Sequence, residues 1–126
     1  MAHILVVDDE ALVREALTSA IQNKGHTVVA ASTGVEGLKR FAEQPFDLVI
    51  TDIIMPDKEG IETIREMKRL KPDAKILAIS GGGRTKNFEF LKLAAKFGAM
   101  AVLQKPIKLT LFYDTLNKCL DEDLAA

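Results

Sequence analysis

Five short apolar segments, each followed by a helical pattern, constrain most strongly what this chain can fold into. The central segment, 48–50, has no polar alternation, which is typical of a strand buried on both faces of a parallel sheet. The other four segments cover 4–7, 27–31, 75–79 and 100–104. This alternation predicts an α/β fold of the doubly wound (βα)5 type, in which helices cover both faces of five parallel strands.

Capping and helix-breaking residues mark where the predicted helices begin and end. Gly25 follows the first apolar stripe, and a glycine there can adopt the left-handed conformation that ends many helices. Thr33 and Glu36 have the spacing of a capping box, which predicts the start of the second helix. The apolar stripe of the first helix comprises Leu12, Val13, Ala16, Leu17, Ala20 and Ile21, and the second helix carries Val35, Leu38, Phe41 and Ala42.

The composition is that of one soluble globular domain. The chain has 126 residues, of which 48% are hydrophobic and 28% charged, and its formal net charge of −1 gives no indication of direct nucleic-acid binding. No apolar run could span a bilayer and no signal-peptide pattern precedes the first strand, which predicts a cytoplasmic protein. Cys119 is expected to be buried as a small hydrophobe. We expect a domain over 1–120 and a tail over 121–126.

Polar residues suited to phosphoryl chemistry follow four of the five predicted strands. Because right-handed crossovers bring the C-terminal ends of parallel strands to one edge, a common site is expected from Asp8, Asp9, Asp52, Ser80 and Lys105. The three carboxylates would repel each other unless cations compensate, and Lys105 supplies one positive charge. A divalent cation would supply the rest, and few hard oxygen ligands suit Mg²⁺ better than Ca²⁺. Asp52 is the candidate nucleophile, since carboxylates form acyl phosphates.

Each of these residues also has an ordinary structural explanation. Asp52 could begin a turn, and the acidic residues from Asp8 to Glu10 could favour the N-terminus of a helix. Ser80 could be a loop residue bonded to its neighbours, and Lys105 a solvated surface charge. A shared site is favoured because five suitable residues occur at the ends of four different strands.

The motifs that carry these residues resemble those of receiver domains of two-component response regulators. The matching motifs are Val6-Val7-Asp8-Asp9, Asp52-x-x-Met55-Pro56 with Gly60, Ser80, and Lys105-Pro106. The similarity covers essentially the whole chain, and its plan is close to that of the single-domain chemotaxis receiver. The resemblance implies a flavodoxin-like fold with the strand order 2-1-3-4-5, an order that the residues alone do not establish.

The resemblance also implies a phospho-accepting switch rather than an enzyme with a separate substrate. Asp52 would take a phosphoryl group from a sensor histidine kinase or a phosphotransfer protein, in a reaction that the domain itself helps to catalyse. Phosphorylation would change the face formed by the predicted fourth helix (86–97), the fifth strand and the last helix. A downstream protein, or a second copy of the chain, would bind there.

The roles of individual residues are implied in the same way. The groups expected to hold Mg²⁺ are the carboxylates of Asp9 and Asp52, that of Asp8 through a water molecule, and the backbone carbonyl of Ile54. The groups expected to bind phosphoryl oxygens are Ser80, Lys105 and the amide of Gly81. The Lys105–Pro106 bond would be cis, which the sequence permits because cis peptide bonds are largely confined to proline.

Three features depart from the family pattern. Val102 stands where the family often has an aromatic ring that swings inward with the hydroxyl residue, so we expect Ser80, its loop and the fourth helix to carry the change instead. The segment after Ser80 is long and has three glycines at 81–83, which indicates either a neutral insertion or a lid ordered by phosphorylation. The predicted helix over 86–97 has two apolar sides, one for the sheet and one for a partner or for burial under that loop.

The residues expected to flank the phosphoryl group predict that it is lost slowly. Ile54 lies two positions after Asp52, and Gly82 lies two positions after Ser80. Neither side chain can orient an attacking water molecule. We therefore expect slow self-catalysed dephosphorylation, which the lifetime of the phosphorylated protein would measure.

Two other functions use similar residues. A Mg²⁺-dependent phosphohydrolase or phosphotransferase would share the aspartate chemistry, but no Asp-x-Asp pair surrounds Asp52 and no insertion is large enough for a substrate cap. A flavodoxin-like binder of a nucleotide or flavin would need a phosphate-cradling loop where the acidic residues 8–10 stand. We expect a receiver that acts by contact with another protein, or else a domain excised from a longer regulator or hybrid kinase.

Overall fold

The computed structural model describes residues 1–53, 59–80, 96 and 98–120, with the backbone alone at Glu59. Within these ranges the strands are β1 (His3–Val7), β2 (Thr27–Ala31), β3 (Leu48–Asp52), β4 (Ile76–Ser80) and β5 (Ala101–Gln104). The helices are α1 (Ala11–Asn23), α2 (Gly34–Glu43), α3 (Glu59–Leu70) and α4 (Leu109–Leu120). The glycines at 81–83, the tail at 121–126 and, apart from Lys96, the predicted helix over 86–97 lie outside the described residues.

All five strands belong to one parallel sheet with the order β2-β1-β3-β4-β5, which confirms the predicted fold class and strand order. Val7 pairs with both Ala31 and Thr51, so β1 lies between β2 and β3. At the other side of β3, Asp52 pairs with Ile79. The direction of winding reverses at β1, and in open α/β sheets such a reversal places a crevice beyond the carboxyl ends of the strands.

Side chains of the central strands alternate between two cores, one on each face of the sheet. Ile4 and Val6 contribute to the core covered by α1 and α4, whose other members include Leu17, Ile21, Phe112 and Leu116. Leu5 and Val7 contribute to the core covered by α2 and α3, whose other members include Phe41, Ile64 and Met67. Every residue of β3 and β4 is buried. Burial on both faces explains why these strands show no polar alternation.

The inward faces of α1 and α2 are narrower than the predicted stripes. Leu17, Ala20, Ile21 and Phe41 are buried as predicted, but four other members of the stripes are exposed. Leu12 is 82% exposed and Val35 is 73% exposed, and Ala16 and Ala42 are also exposed. The residues of α2 that are buried are Gly34, Gly37 and Phe41. A Cβ atom on Gly37 would lie 2.7 Å from Cγ2 of Val7, so the helix approaches the sheet along a glycine. Glycine adds little to a hydrophobic pattern, so the pattern did not show that Gly34 and Gly37 lie on the buried face together with Phe41.

The N-terminus of α2 carries the predicted caps with one change of partner. Thr33 Oγ1 accepts a hydrogen bond from Glu36 N at 3.1 Å, as a capping box requires. The Glu36 carboxylate accepts its return bond from Ser32 N at 2.8 Å, one residue before the cap. Both bonds satisfy amide groups that the helix itself leaves without partners.

Replacing Thr33 with alanine is expected to lower the free energy of unfolding by about 1 kcal/mol, because it removes the acceptor for Glu36 N. Urea unfolding followed by circular dichroism would measure the change. Ser19→Ala on the exposed side of α1 is the matched control and should change stability by less than about 0.5 kcal/mol. Equal effects of the two substitutions would contradict a specific role for the cap.

Two smaller predictions are also confirmed. Gly25, which follows the C-cap residue of α1, has a φ angle of 86°, in the left-handed region that favours glycine. Cys119 is buried, within the core that α1 and α4 cover.

None of the described helices combines the length and the apolar character needed to cross a lipid bilayer.

Candidate functional site

Four strands place polar residues at the C-terminal edge of the sheet. Asp52 and Ser80 are the last residues of β3 and β4, while Asp8 and Lys105 directly follow β1 and β5. Sheet hydrogen bonding extends to these positions, since Asp8 N donates to Ala31 O at 3.1 Å and Lys105 N donates to Ser80 O at 2.8 Å. Asp8, Asp52 and Ser80 are all buried. The backbone of the sheet therefore holds the polar side chains in a protected position.

The ammonium group of Lys105 lies among the carboxylates. Its Nζ atom is 2.6 Å from Glu10 Oε1, 2.9 Å from Asp52 Oδ2 and 3.1 Å from Asp8 Oδ2. The Lys105 side chain is only 12% exposed. Two of its three N–H donors form hydrogen bonds with Glu10 and Asp52, and Asp8 Oδ2 lies within ion-pair distance. Lys105 thus compensates part of the negative charge at this edge of the sheet.

Asp8 is held by the segment that connects β1 to α1. Its Oδ1 atom accepts a hydrogen bond from Glu10 N, and its backbone carbonyl accepts one from Arg14 Nη1, each at 2.8 Å. Its Oδ2 atom is in ion-pair contact with Lys105 but accepts no hydrogen bond from the described residues. A fully buried carboxylate oxygen with unused acceptor capacity is unusual, and a bound ion is one of its normal explanations.

The environment of Lys105 raises its pKa above the ordinary value of 10.5. Burial of the ammonium group is the largest single influence and lowers the pKa. The hydrogen bonds to Glu10 and Asp52, the negative charge of Asp52 and the close contact with Asp8 outweigh that effect. Lys105 is therefore protonated throughout the neutral range.

The raised pKa of Lys105 predicts how its contribution to stability depends on pH. Because the pKa of Lys105 is higher in the folded than in the unfolded protein, the protonated side chain contributes fully to stability below the unfolded-state pKa of about 10.5. This contribution is lost as the pH rises through the folded-state pKa. The stability difference between the wild type and Lys105→Met should be constant from pH 7 to about pH 10 and shrink above it. Urea unfolding of both proteins without Mg²⁺ would measure this difference. A stability difference that grew above pH 10 would contradict a raised pKa of Lys105 in the folded protein.

Four acidic side chains could together hold a metal ion. Asp8, Asp9, Glu10 and Asp52 each offer a carboxylate oxygen, and these atoms lie within 4.8 Å of one another. Asp8 and Asp52 are buried while Asp9 and Glu10 are exposed, so the cluster has one side open to solvent. Four carboxylates and one ammonium group leave a strong excess of negative charge. Oxygen ligands, this excess and the unused Oδ2 of Asp8 all fit a divalent cation.

Asp8, Asp9, Asp52 and Lys105 therefore lie together, as their positions in the sequence predicted. Glu10 joins them, although no motif marked it as a site residue. It is the N-cap of α1, yet its side chain makes no capping hydrogen bond. Glutamate is not among the residues preferred at an N-cap. A glutamate at this position was therefore the feature of the sequence that could have indicated a role at the site.

Of the remaining predicted site residues, Ser80 lies at the same edge of the sheet, at the end of β4. The Lys105–Pro106 peptide bond is cis. Val102 is partly buried against the core that α2 and α3 cover. Ile54 and Gly81 are outside the described residues, so their roles as a metal ligand and a phosphoryl-binding amide stay predictions.

Known proteins resemble this chain over most of its length. Chemotaxis protein CheY of Thermotoga maritima is 34% identical over 116 residues, which are 91% of this chain and 94% of that protein. Sensor kinase CckA of Brucella abortus is 34% identical over 123 residues, which are 96% of this chain and 13% of that kinase. The chain thus matches both a protein of its own size and a small part of a much larger one.

Solved structures show the same architecture. The CheY-like response regulator receiver domain protein of Methanospirillum hungatei superposes with a TM-score of 0.87 at 28% identity, covering 97% of this chain and 95% of that one. The family model described as the response regulator receiver domain matches residues 4–117. Fold, strand-end chemistry and sequence agree, and the chain belongs to the response regulator receiver domain family.

Proposed function

We propose that this protein is a phosphorylation switch in which Asp52 accepts a phosphoryl group from a sensor histidine kinase or a phosphotransfer protein. The observation that carries the proposal is the placement of Asp52. It ends β3 at 1% exposure, with an ammonium group 2.9 Å from its Oδ2 and three further carboxylates beside it. A nucleophile, a positive charge and a cluster suited to Mg²⁺ are the parts that phosphoryl transfer to a carboxylate needs.

In the proposed reaction, a carboxylate oxygen of Asp52 forms a bond to phosphorus while the bond from phosphorus to the donor histidine nitrogen breaks. Lys105 donates hydrogen bonds to the phosphoryl oxygens and stabilises their charge. Ser80, at the end of the adjacent strand, is the hydroxyl donor that we assign to the same oxygens. Mg²⁺, held by Asp9 and Asp52 with Asp8 in support, would neutralise further negative charge.

The proposed output is a contact with a downstream protein through β5 and α4, together with the segment 86–97. Leu109 and Leu111 of α4 are both about half exposed, and large apolar side chains at the surface favour protein contacts. A second copy of this chain is the alternative occupant of that face. Neither occupant involves nucleic acid directly.

Intact mass after incubation with acetyl phosphate tests the acceptor role. Because the domain is proposed to catalyse its own phosphorylation, the wild type should gain one phosphoryl group in Mg²⁺ and none in a chelator. Asp52→Asn should gain none. Asp114→Asn, which changes an exposed aspartate of α4, is the matched control and should behave as the wild type.

Two results would overturn the proposal. One is a Mg²⁺-dependent adduct that persists in Asp52→Asn, because the acceptor would then be another residue. The other is the absence of any adduct on wild-type protein that binds Mg²⁺, because the domain would then act through protein contacts alone. In either case the role assigned to Asp52 would be withdrawn.

A further inference from the structure

Glu10 makes the closest of the three contacts to the ammonium group of Lys105, at 2.6 Å. The other two carboxylates, Asp8 and Asp52, are buried, whereas the Glu10 side chain is 60% exposed. Glu10 therefore covers the ammonium group on its solvent side. The two residues are 95 positions apart in the chain, so the contact joins the connection after β1 to the connection after β5.

The backbone around Glu10 aims its side chain at this contact. Glu10 N donates to Asp8 Oδ1 at 2.8 Å, and Glu10 O accepts from Arg14 N at 3.0 Å as α1 begins. Its φ and ψ angles of −87° and 113° are those of an N-cap, but the carboxylate does not bond to the amides of the helix. The Glu10 carboxylate contacts Lys105 instead of capping the helix, which indicates a role at the site.

We propose that Glu10 is a positioning residue that holds Lys105 in the resting site and competes with the incoming phosphoryl group for its hydrogen bonds. The inference rests on the proposed phosphorylation of Asp52. It adds that Glu10 controls how readily Lys105 can bind the phosphoryl group. Lys105 Nζ donates hydrogen bonds to Glu10 and Asp52 and is in ion-pair contact with Asp8, so three carboxylates surround the ammonium group. A phosphoryl oxygen that approaches Lys105 must compete with these carboxylates for the same ammonium group.

The contact to Glu10 is the one that the site can release at least cost. Its carboxylate is exposed and regains water when it leaves, whereas Asp8 and Asp52 are buried and would lose a partner without gaining solvent. A phosphoryl group on Asp52 also adds negative charge near Lys105, which repels a carboxylate competing for the same donor. Each phosphorylation event would therefore replace Glu10 with a phosphoryl oxygen.

Affinity for beryllofluoride, a phosphoryl analogue, tests the competition by calorimetry at saturating Mg²⁺. Glu10→Gln should bind the probe about threefold more tightly than the wild type, the size expected for losing a partly exposed ion pair. Glu10→Asp keeps the charge but is too short to hold the same contact, so it should resemble Glu10→Gln. Glu15→Gln removes an exposed charge from the next turn of α1 and should leave the affinity unchanged.

The same measurement with Lys105→Met separates a direct competition from a general effect of charge. If Glu10 acts through Lys105, Glu10→Gln should have no further effect in the Lys105→Met background. An undiminished effect in that background would overturn the inference, as would a Glu10→Asp variant with wild-type affinity. Either result would mean that the negative charge at position 10 acts without the contact.

A second readout, without donor or Mg²⁺, keeps this inference separate from the proposed function. Hydrogen exchange of the Lys105 ammonium protons, followed by nuclear magnetic resonance, should be several-fold faster in Glu10→Gln and unchanged in Glu15→Gln. If exchange accelerates as expected but the wild type takes up no phosphoryl group, Glu10 positions Lys105 and the proposed function is wrong. If the wild type is phosphorylated but exchange and beryllofluoride affinity do not change, the role of Glu10 is wrong.

Discussion

Replacing Lys105 with methionine is expected to slow the phosphorylation of Asp52 by acetyl phosphate by about two orders of magnitude, the usual effect of removing one preorganised charge-stabilising donor. Lys105 Nζ is 2.9 Å from Asp52 Oδ2, and its side chain is mostly buried. Methionine has a similar length and fills the same space, but it offers no donor and no positive charge. The rate of adduct formation by intact mass, at saturating Mg²⁺, would measure the loss.

Lys108→Met is the matched control for this substitution. Lys108 is an exposed lysine three positions later, and removing its charge should alter the rate by less than about twofold. Asp52 would remain the acceptor in both proteins. If Lys105→Met were phosphorylated at the wild-type rate, charge stabilisation by Lys105 would be excluded. If both variants lost the same activity, the effect would come from net charge rather than from the site.

Replacing Gly60 with alanine is expected to reduce the free energy of unfolding by about 3 kcal/mol, at the upper end of the usual cost of overpacking. Gly60 lies in the first turn of α3, where the helix approaches the end of β3. An added Cβ atom would clash with Ile53 Cα and lie 2.5 Å from Asp52 O. These are backbone atoms, so the clash can be relieved only by moving the helix or the strand end. The gain in helix propensity from alanine, about 1 kcal/mol, offsets only part of this cost.

Gly37→Ala is the matched control, because it also adds a Cβ atom at a buried helical glycine. Its nearest neighbours are side-chain atoms of Val7, at 2.7 and 3.3 Å, which can shift more easily than backbone. Chemical unfolding should therefore show a smaller loss for Gly37→Ala than for Gly60→Ala. A Gly60→Ala protein as stable as the wild type would contradict the close approach of α3 to β3. Because Asp52 O is part of that contact, Gly60→Ala should also slow phosphorylation.

The order of elements and most of the site were predictable from the residues alone. Continuous apolar runs such as 48–50 indicate strands buried on both faces, and five of them separated by helical patterns leave few alternatives to a parallel α/β sheet. In such a sheet the residues that follow each strand meet at one edge. Asp8, Asp52 and Lys105 were therefore expected to lie together, and their contacts of 2.9 and 3.1 Å bear this out.

The details of helix packing were not predictable in the same way. Leu12 and Val35 belong to apolar stripes, yet both are largely exposed. What decides the inward face of a helix is how closely it can approach the sheet, and in α2 that approach follows Gly37. A pattern of hydrophobic residues does not record the space around each position, and only the packed structure does.

By itself, then, the sequence determined the fold class, the edge of the sheet that carries the chemistry and the identity of its central carboxylate and lysine. These follow from periodicity and from residue order, which are local properties of the chain. Only the tertiary structure decided that Glu10 completes the shell around Lys105 and that Asp8 Oδ2 is left without a hydrogen bond among the described residues. Both depend on atoms that are distant in the chain and meet within 3.1 Å only after the sheet has formed.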